Sequence, residues 1–564
     1  MRSEAVFRTS LNKILTILAL SWTGLILGLI VLYPPLVLAR QALFPGGDFS
    51  QLLSRGTLKA LTNSLITASG VFLFSSFTGT LFAWLRVRTD IPGKKLLDAC
   101  VLLAFIIPPY ILGISWLQIF GSGGYLNRVI NVIVPGGDYR FPCYSLGAAV
   151  LVLGLHLYPL SYFAVKNTLL QLDSGLETVS IQCGASRRRT FFAITLPGIL
   201  PALLSSGLLV FSRALANFSV PALLCLPVRR ELLTTRIYAS LGSLNTRTAA
   251  LLSFCLVLVS TLLYGLQVYI SARFSRGVSK RPGEQQPWRL QPLGRFRGPA
   301  TAAAGLFLML TVVLPLGAML TSSFMKRWGL PLERQYLTLH NYLHLLTGEK
   351  TRRAFLNSLS YGTGAGILAL LVGGSTAFLS HTRRAGAGRV LEAVASWPMA
   401  FPNIVLAVGA ILAWNRSPFY LYGTPWCIIA AYAALFTPLV LKQISALLEN
   451  QDPRLVQAAR TSGAGPARSF LTVTLPAILP GIESGLLVCM LIALREIPIA
   501  LMLYSAGQET TGVLLFGMQS QSYGLEITSA LAVTIIVLIF TGNMFITGIK
   551  RRRINAKTPD TRSQ

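Results

Sequence analysis

Acidic side chains are scarce in this chain: 19 Asp and Glu stand against 49 Lys and Arg in 564 residues, and only 12% of positions are charged. No pair of carboxylates can be placed on one surface for acid–base work. The seven cysteines, Cys100, Cys143, Cys183, Cys225, Cys255, Cys427 and Cys489, show no CxxC pair and no repeat spacing, so neither a disulfide framework nor a cysteine zinc site is expected. Of only four histidines, His340 and His344 stand four apart in an expected outer loop. Two histidines alone do not make a metal site and read as solvated loop residues. There is no GxxxxGK[ST] phosphate loop, the run from Gly277 to Lys280 being a superficial echo, and no nucleophile elbow or HExxH pair. No catalytic residue, resident metal or cofactor is therefore expected in this chain.

What fills the chain instead is apolar residues, 53% of positions, the composition of a polytopic membrane protein. In a soluble chain a net charge of +30 would point to nucleic acid. Here the basic residues cluster beside apolar spans, where they set orientation, so no nucleic-acid partner is expected and membrane lipid is. The first apolar stretch, residues 14–39, is longer than a signal-peptide core and reads as a membrane helix. Further spans are expected near 61–85, 97–120, 145–170, 200–225 and 249–270, then near 300–323, 355–380, 390–414, 424–447, 477–504 and 525–549. The sequence thus predicts an all-α protein of about twelve transmembrane helices. It divides into a first half over 1–272, a linker over 273–299 rich in Arg, Pro, Gly and Gln, a second half over 300–550 and a basic tail over 551–564. With both termini inside, Arg86, Arg88, Lys94, Lys95, the linker, Arg383, Arg384, Arg389 and the run from Lys550 to Arg553 all fall on the inner side, while Arg229, Arg230, Lys326 and Arg327 fall outside.

The two halves are copies. From Glu177 the chain reads ETVSIQCGASRRRTFFAITLPGILP and from Val456 it reads VQAARTSGAGPARSFLTVTLPAILP, so Gly184 and Gly463 align at 463 − 184 = 279 residues. Leu196-Pro197 and Leu475-Pro476 follow at the same offset. Asn63-Ser64 matches Asn357-Ser358, and Pro108 matches Pro402, at an offset of 294; Pro159 and Pro438 return to 279 because the segment from Phe120 to Tyr144 is longer in the first half. Two parallel six-span repeats would pack about an axis along the membrane normal, with a pathway on that axis. The copied stretches, about 172–199 and about 449–478, carry too many arginines to lie in lipid. Each predicts a short helix, a sharp turn at Gly184 or Gly463, and a second helix ending before its proline, with Ser186 as cap in the first copy and Gly465-Pro466 in that role in the second.

These paired elbows resemble the cytoplasmic EAA loop of permease subunits in bacterial binding-protein-dependent ABC importers. The second copy supplies Gln457, Ala458, Ala459, Gly463, Ala464, Val473, Leu475 and Pro476 to that pattern; the first supplies Gly184, Ala185, Ile194, Leu196 and Pro197, with Glu177 one place before the motif glutamate, and neither copy has glutamate at the motif position itself. The segments LANFSVPALL (Leu215 to Leu224) and REIPIALML (Arg495 to Leu503) look most like the ferric-iron importer subgroup, although Asn217-Phe218-Ser219 stands where that subgroup has Asp-Phe-Gly.

The resemblance implies a permease in the bacterial inner membrane, taking substrate from a periplasmic or lipid-anchored binding protein. It further implies two copies of a separate cytoplasmic ATPase that holds the ATP and magnesium and drives alternating access by pushing on the elbows. Ferric iron is the substrate it suggests first, with thiamine, an aminophosphonate or a polyamine as alternatives within the class; a secondary transporter is the alternative outside it.

Ionisable residues inside spans are costly in lipid and face protein or an aqueous path. Arg213, Asn217, Phe218, Arg495, Glu496 and Pro498 are placed near the translocation path, each shortly after an elbow. The same residues admit a purely structural reading, with Arg495 and Glu496 paired within the bundle, and Glu483 and His156 are weaker candidates. A carboxylate suits a cation and arginine an anion, so the sign of the substrate stays open. Pro108-Pro109, and Pro398 with Pro402, either break matching spans where backbone lines a cavity or merely kink them.

Overall fold

Long apolar runs satisfy their backbone hydrogen bonds within themselves by coiling into helices, which is the demand a bilayer makes. The computed structural model describes residues 19–43, 49–121, 123–133, 142–274, 292–382, 386–520 and 524–557. Most of the linker and the end of the tail, together with Arg383 and Arg384, lie outside them. Among the described residues ten helices are long and apolar enough to cross a membrane, or twelve if each of two bent pairs counts as one span.

Those bent pairs correct two expected spans. Near 97–120 the chain forms Lys94–Ile106 and a helix from Pro109, bent by 99°; near 390–414 it forms Ala387–Ala400 and Asn403–Trp414, bent by 112°. The cause is at the aligned prolines: Pro108 and Pro402 both take extended backbone (ψ 137°) ahead of the second helix, and the residue before each, Ile107 or Phe401, is forced extended as well. These are breaks close to a right angle rather than packing kinks. Two further spans end early: the helices stop at Leu215 and Ala493, and after a short break the chain resumes as Ser219–Leu224 and Pro498–Leu503.

Proline acts differently one residue after a widened turn. Gly28–Leu32, Phe191–Thr195, Met309–Val313 and Phe470–Thr474 are single π-helical turns, and each is followed by one residue and then Pro34, Pro197, Pro315 or Pro476. A proline inside an α-helix offers no N–H and its ring meets the carbonyl four residues back. Shifting to an i→i+5 bond, as in Leu196 N–H to the Phe191 carbonyl and Leu475 N–H to the Phe470 carbonyl, makes room for the ring without breaking the helix.

Two compact units result, and their composition departs from the division at the linker. One comprises residues 48–341 and 524–533. Its core joins Phe82, Tyr158, Tyr162 and Ile199 of the first half to Ala304, Leu308 and Val312 from the Gly294–Ser323 helix. The other comprises residues 1–47, 342–523 and 534–564. There the Ala19–Leu43 helix lies on the Asn403–Trp414 helix, with Pro34 against Gly409 and Tyr33 edge-on to Phe419 at 5.9 Å. In the first unit Gly294–Ser323 packs likewise on Pro109–Phe120, the counterpart of Asn403–Trp414. Each half's first helix thus belongs to the unit built from the other half. These helices precede the region in which Asn63 and Asn357 mark the repeat, so side-chain fit rather than nearness in sequence chooses their partner.

Within each unit a matched glycine lets two helices approach closely. A Cβ on Gly79 would lie 2.7 Å from the Tyr158 carbonyl, and one on Gly373, 294 residues on, 2.8 Å from the Thr437 carbonyl. Because the obstacle is backbone, no rotamer change relieves it. Gly79→Val or Gly373→Val is expected to cost about 1–3 kcal/mol or more in overpacking and to lower the monodisperse fraction recovered after detergent extraction, read by size exclusion; wild-type recovery would contradict this contact.

Candidate functional site: the paired elbows

The two elbows have the same local construction. Asp173 and Asp452 open the short helices Ser174–Gln182 and Pro453–Thr461, each carboxylate accepting from the backbone N–H two residues on. Both helices close on a glycine at φ +85°, Gly184 and Gly463, with open space around the α-carbon. The next N–H reaches back five residues in both: Ala185 N to Ser180 O at 3.1 Å and Ala464 N to Ala459 O at 3.0 Å. That six-to-one bond needs a left-handed residue at the glycine position. Ser186 caps the following helix through Arg189 N–H, as the sequence predicts.

One expectation changes here. The second helix does not end before its proline; it runs through the π turn into a single span, Arg187–Leu215 or Pro466–Ala493. The elbow is therefore one short helix hung on a turn, with the following membrane helix reaching out to meet it.

Exposure repeats position by position. Ala185 and Ala464, Ile194 and Val473, and Leu196 and Leu475 are half-buried, Pro197 and Pro476 exposed. Gln457 and Ala458 are exposed and Ala459 half-buried, as are their counterparts Thr178, Val179 and Ser180. Leu176 and Leu455, again 279 apart, are each 57% exposed, and Val179, nearly one helical turn on, adds to the apolar face of the first elbow. Arg187, Arg188 and Arg189 are exposed beside it. A leucine presented at the same place twice, on a helix flanked by cations, is a surface that a partner's groove can cover. Glu177 does not share that face: its carboxylate turns inward and takes two bonds from Arg88, at 2.8 and 3.0 Å.

The sequence profile of the family described as the binding-protein-dependent transport system inner membrane component matches residues 75–276 and again 369–555, so each match contains one elbow. The chain belongs to that family. Among curated relatives, the ferric transport system permease protein FbpB of Actinobacillus pleuropneumoniae is 23% identical over 546 residues, 94% of this chain and 78% of that one. The Fe(3+)-transport system permease protein FbpB 2 of Haemophilus influenzae is 24% identical over 490 residues, covering 86% and 88%. The molybdenum transport system permease protein ModB of Escherichia coli is 36% identical over 160 residues, 28% of this chain and 68% of that one. The protein is an ABC importer permease, a transporter component with its two halves fused in one multi-pass chain.

Most of the residues expected near the permease's path make contacts that hold local structure. Asn217 and Glu496 are equivalents, 279 apart, and both cap the short helix that follows: Asn217 Oδ1 accepts from Val220 N–H, while the Glu496 carboxylate accepts from Ile499 and Ala500 N–H. Glu496 is 4% exposed and also receives Asn403 Nδ2 and the Tyr432 hydroxyl, each at 3.2 Å. Phe218 is buried against Tyr238, and Pro498 is the first residue of its helix. Arg213 is exposed and Arg495 half-buried, and they are not equivalents, since 213 + 279 is Ile492 and 495 − 279 is Ala216. Glu483 is half-buried, and His156 stacks on Phe105 with centroids 5.7 Å apart.

The repeat markers share a role that sequence alone leaves blank. Asn63 Nδ2 donates to the Glu231 carbonyl and Asn357 Nδ2 to those of Gly507 and Glu509. Ser64 and Ser358 each accept a 2.8 Å bond from Leu233 or Thr511 N–H, tying down the loop after the short helix. Asp173 and Asp452 obey the 279 offset and are legible in the sequence as matched helix caps; Arg88 carries no such signal, since its counterpart is Thr382.

Proposed function

We propose that this permease resides in the bacterial inner membrane with both termini in the cytoplasm, that its elbows dock on two copies of a separate ATPase subunit, and that it imports ferric iron handed over by an external binding protein. ATP and magnesium belong to the ATPase. The observation that carries this reading is the duplicated elbow: two rigid short helices, alike in cap, turn and exposed leucine, fit two copies of one partner. The basic residues flanking the spans support the orientation, and the names of the two relatives aligned over most of the chain support iron.

One feature favours a second substrate class. Glu496, the carboxylate expected near the path, is buried and fully engaged, while Arg213 is exposed. An exposed arginine suits an oxyanion, and the shorter aligned relative is named for molybdenum transport.

The test is copurification from the native host, comparing wild type with Leu176→Asp plus Leu455→Asp. Both leucines are exposed, so the permease is expected to stay folded while the associated ATPase falls by about tenfold or more, as when a central apolar anchor is replaced by charge. Retention of the ATPase by the double variant would sink the docking reading. Uptake of radiolabelled ferric iron against molybdate in proteoliposomes holding the complex and its binding protein decides the substrate.

A further inference from the structure

The elbows share a turn but not their attachment. In the first copy Glu177 is only 14% exposed and Arg88, the last residue of the Arg55–Arg88 helix, 2% exposed; Nη2 and Nη1 of the guanidinium donate to the two carboxylate oxygens at 2.8 and 3.0 Å. The Thr195 hydroxyl, in the π turn, donates to the same carboxylate at 2.5 Å, and the guanidinium lies 5.5 Å from the Trp84 ring centroid. One side chain of the elbow thus holds both the end of a long span and the widened turn of the next. At the equivalent positions the second half has Thr382, Val456 and Thr474. Thr382 spends its hydroxyl on the Phe378 carbonyl of its own helix.

A two-pronged guanidinium–carboxylate contact fixes orientation as well as distance, whereas a valine side chain slides over its neighbours at little cost. We propose that Glu177 and Arg88 are positioning residues that lock the first elbow to the Arg55–Arg88 helix, so that displacement of this elbow is passed to that span directly, by a connection the second elbow does not have at the matching positions. The inference rests on the elbow being the ATPase-docking element. A bound ATPase that moves the elbow then moves two helices at once: Arg187–Leu215 through the chain, and Arg55–Arg88 through the ion pair. Without the pair, the elbow still docks but part of its travel is lost as rotation about the glycine turn.

The experiment uses the purified complex of permease, ATPase and external binding protein in proteoliposomes. It reads the ratio of ATP hydrolysis with binding protein to hydrolysis without it, alongside the amount of ATPase copurified. Glu177→Gln leaves a buried guanidinium without its counter-charge and can fail to fold. The paired variant Arg88→Met plus Glu177→Leu removes both charges while keeping volume, and keeps the proposal testable. It is expected to retain the ATPase and to lower the stimulation ratio by roughly fivefold or more, the lower end of coupling between distant sites. Arg88→Lys, which keeps charge but not the fork, is expected to fall between. A folded paired variant with the wild-type ratio overturns the lock while leaving docking intact. A wild-type permease whose ATPase ignores both elbows overturns docking and the lock together.

Discussion

Replacing Gly184 and Gly463 together by valine is expected to reduce transport by at least about tenfold while the membrane helices remain folded. At φ +85° a side chain with a β-carbon crowds its own carbonyl, at about 1–2 kcal/mol per residue, and β-branching adds to this. A β-carbon at either position would meet no other group within 4 Å, so the penalty is conformational rather than a clash. It is relieved only if the turn changes shape. The six-to-one bonds from Ala185 and Ala464 then break, and the short helices swing away from the angle at which they present Leu176 and Leu455. Gly184→Val alone is expected to do less than the pair, because one elbow keeps its pose. Uptake in proteoliposomes, with circular dichroism as the folding control, checks both statements; a double variant transporting at the wild-type rate would remove the left-handed turns from the mechanism.

The second large effect belongs to Glu496. Changing it to alanine strands four donors in a buried site: two backbone N–H groups, the Asn403 amide and the Tyr432 hydroxyl. Each buried group left unpaired costs about 1–3 kcal/mol, and lipid offers no water to replace the lost partner. Glu496→Ala is therefore expected to give little folded permease, seen as low monodisperse yield and a lower melting midpoint in detergent. Asn217→Ala, at the equivalent position, strands one backbone N–H and is expected to cost about 1 kcal/mol, the usual value of a helix cap. Glu496→Gln keeps one acceptor oxygen and should fall between. Equal stability of the two alanine variants would mean that Glu496 is not the cap described, and would return it to the path.

Much of this was legible because duplication turns one chain into two witnesses. The Gly and Leu-Pro spacing, the Asn-Ser pairs and the Pro108–Pro402 match are visible as constant offsets, and each proves to have a physical role, whether as a left-handed turn, a widened helix, a tied loop or a sharp break in a span. What the offsets hid was the direction in which side chains point. Glu496 reads as a costly charge in a span, and only the break after Ala493 shows the carboxylate folding back on the next helix. Arg88 reads as one more orienting cation at a span's end. Its burial against Glu177, 89 residues on, depends on how two helices and an elbow meet.

By itself the sequence determined the all-helical class, the number of apolar segments, the repeat and the elbows, because apolar length and backbone punctuation by Gly and Pro act over a few residues. The tertiary structure alone decided which prolines break a span and which merely widen a turn. It also decided which unit each half's first helix joins and which charges are spent on holding the fold. Those outcomes turn on contacts between segments far apart in the chain, where close approach at Gly79, Gly373 and Gly409 and the pairing of buried polar groups outweigh any local preference.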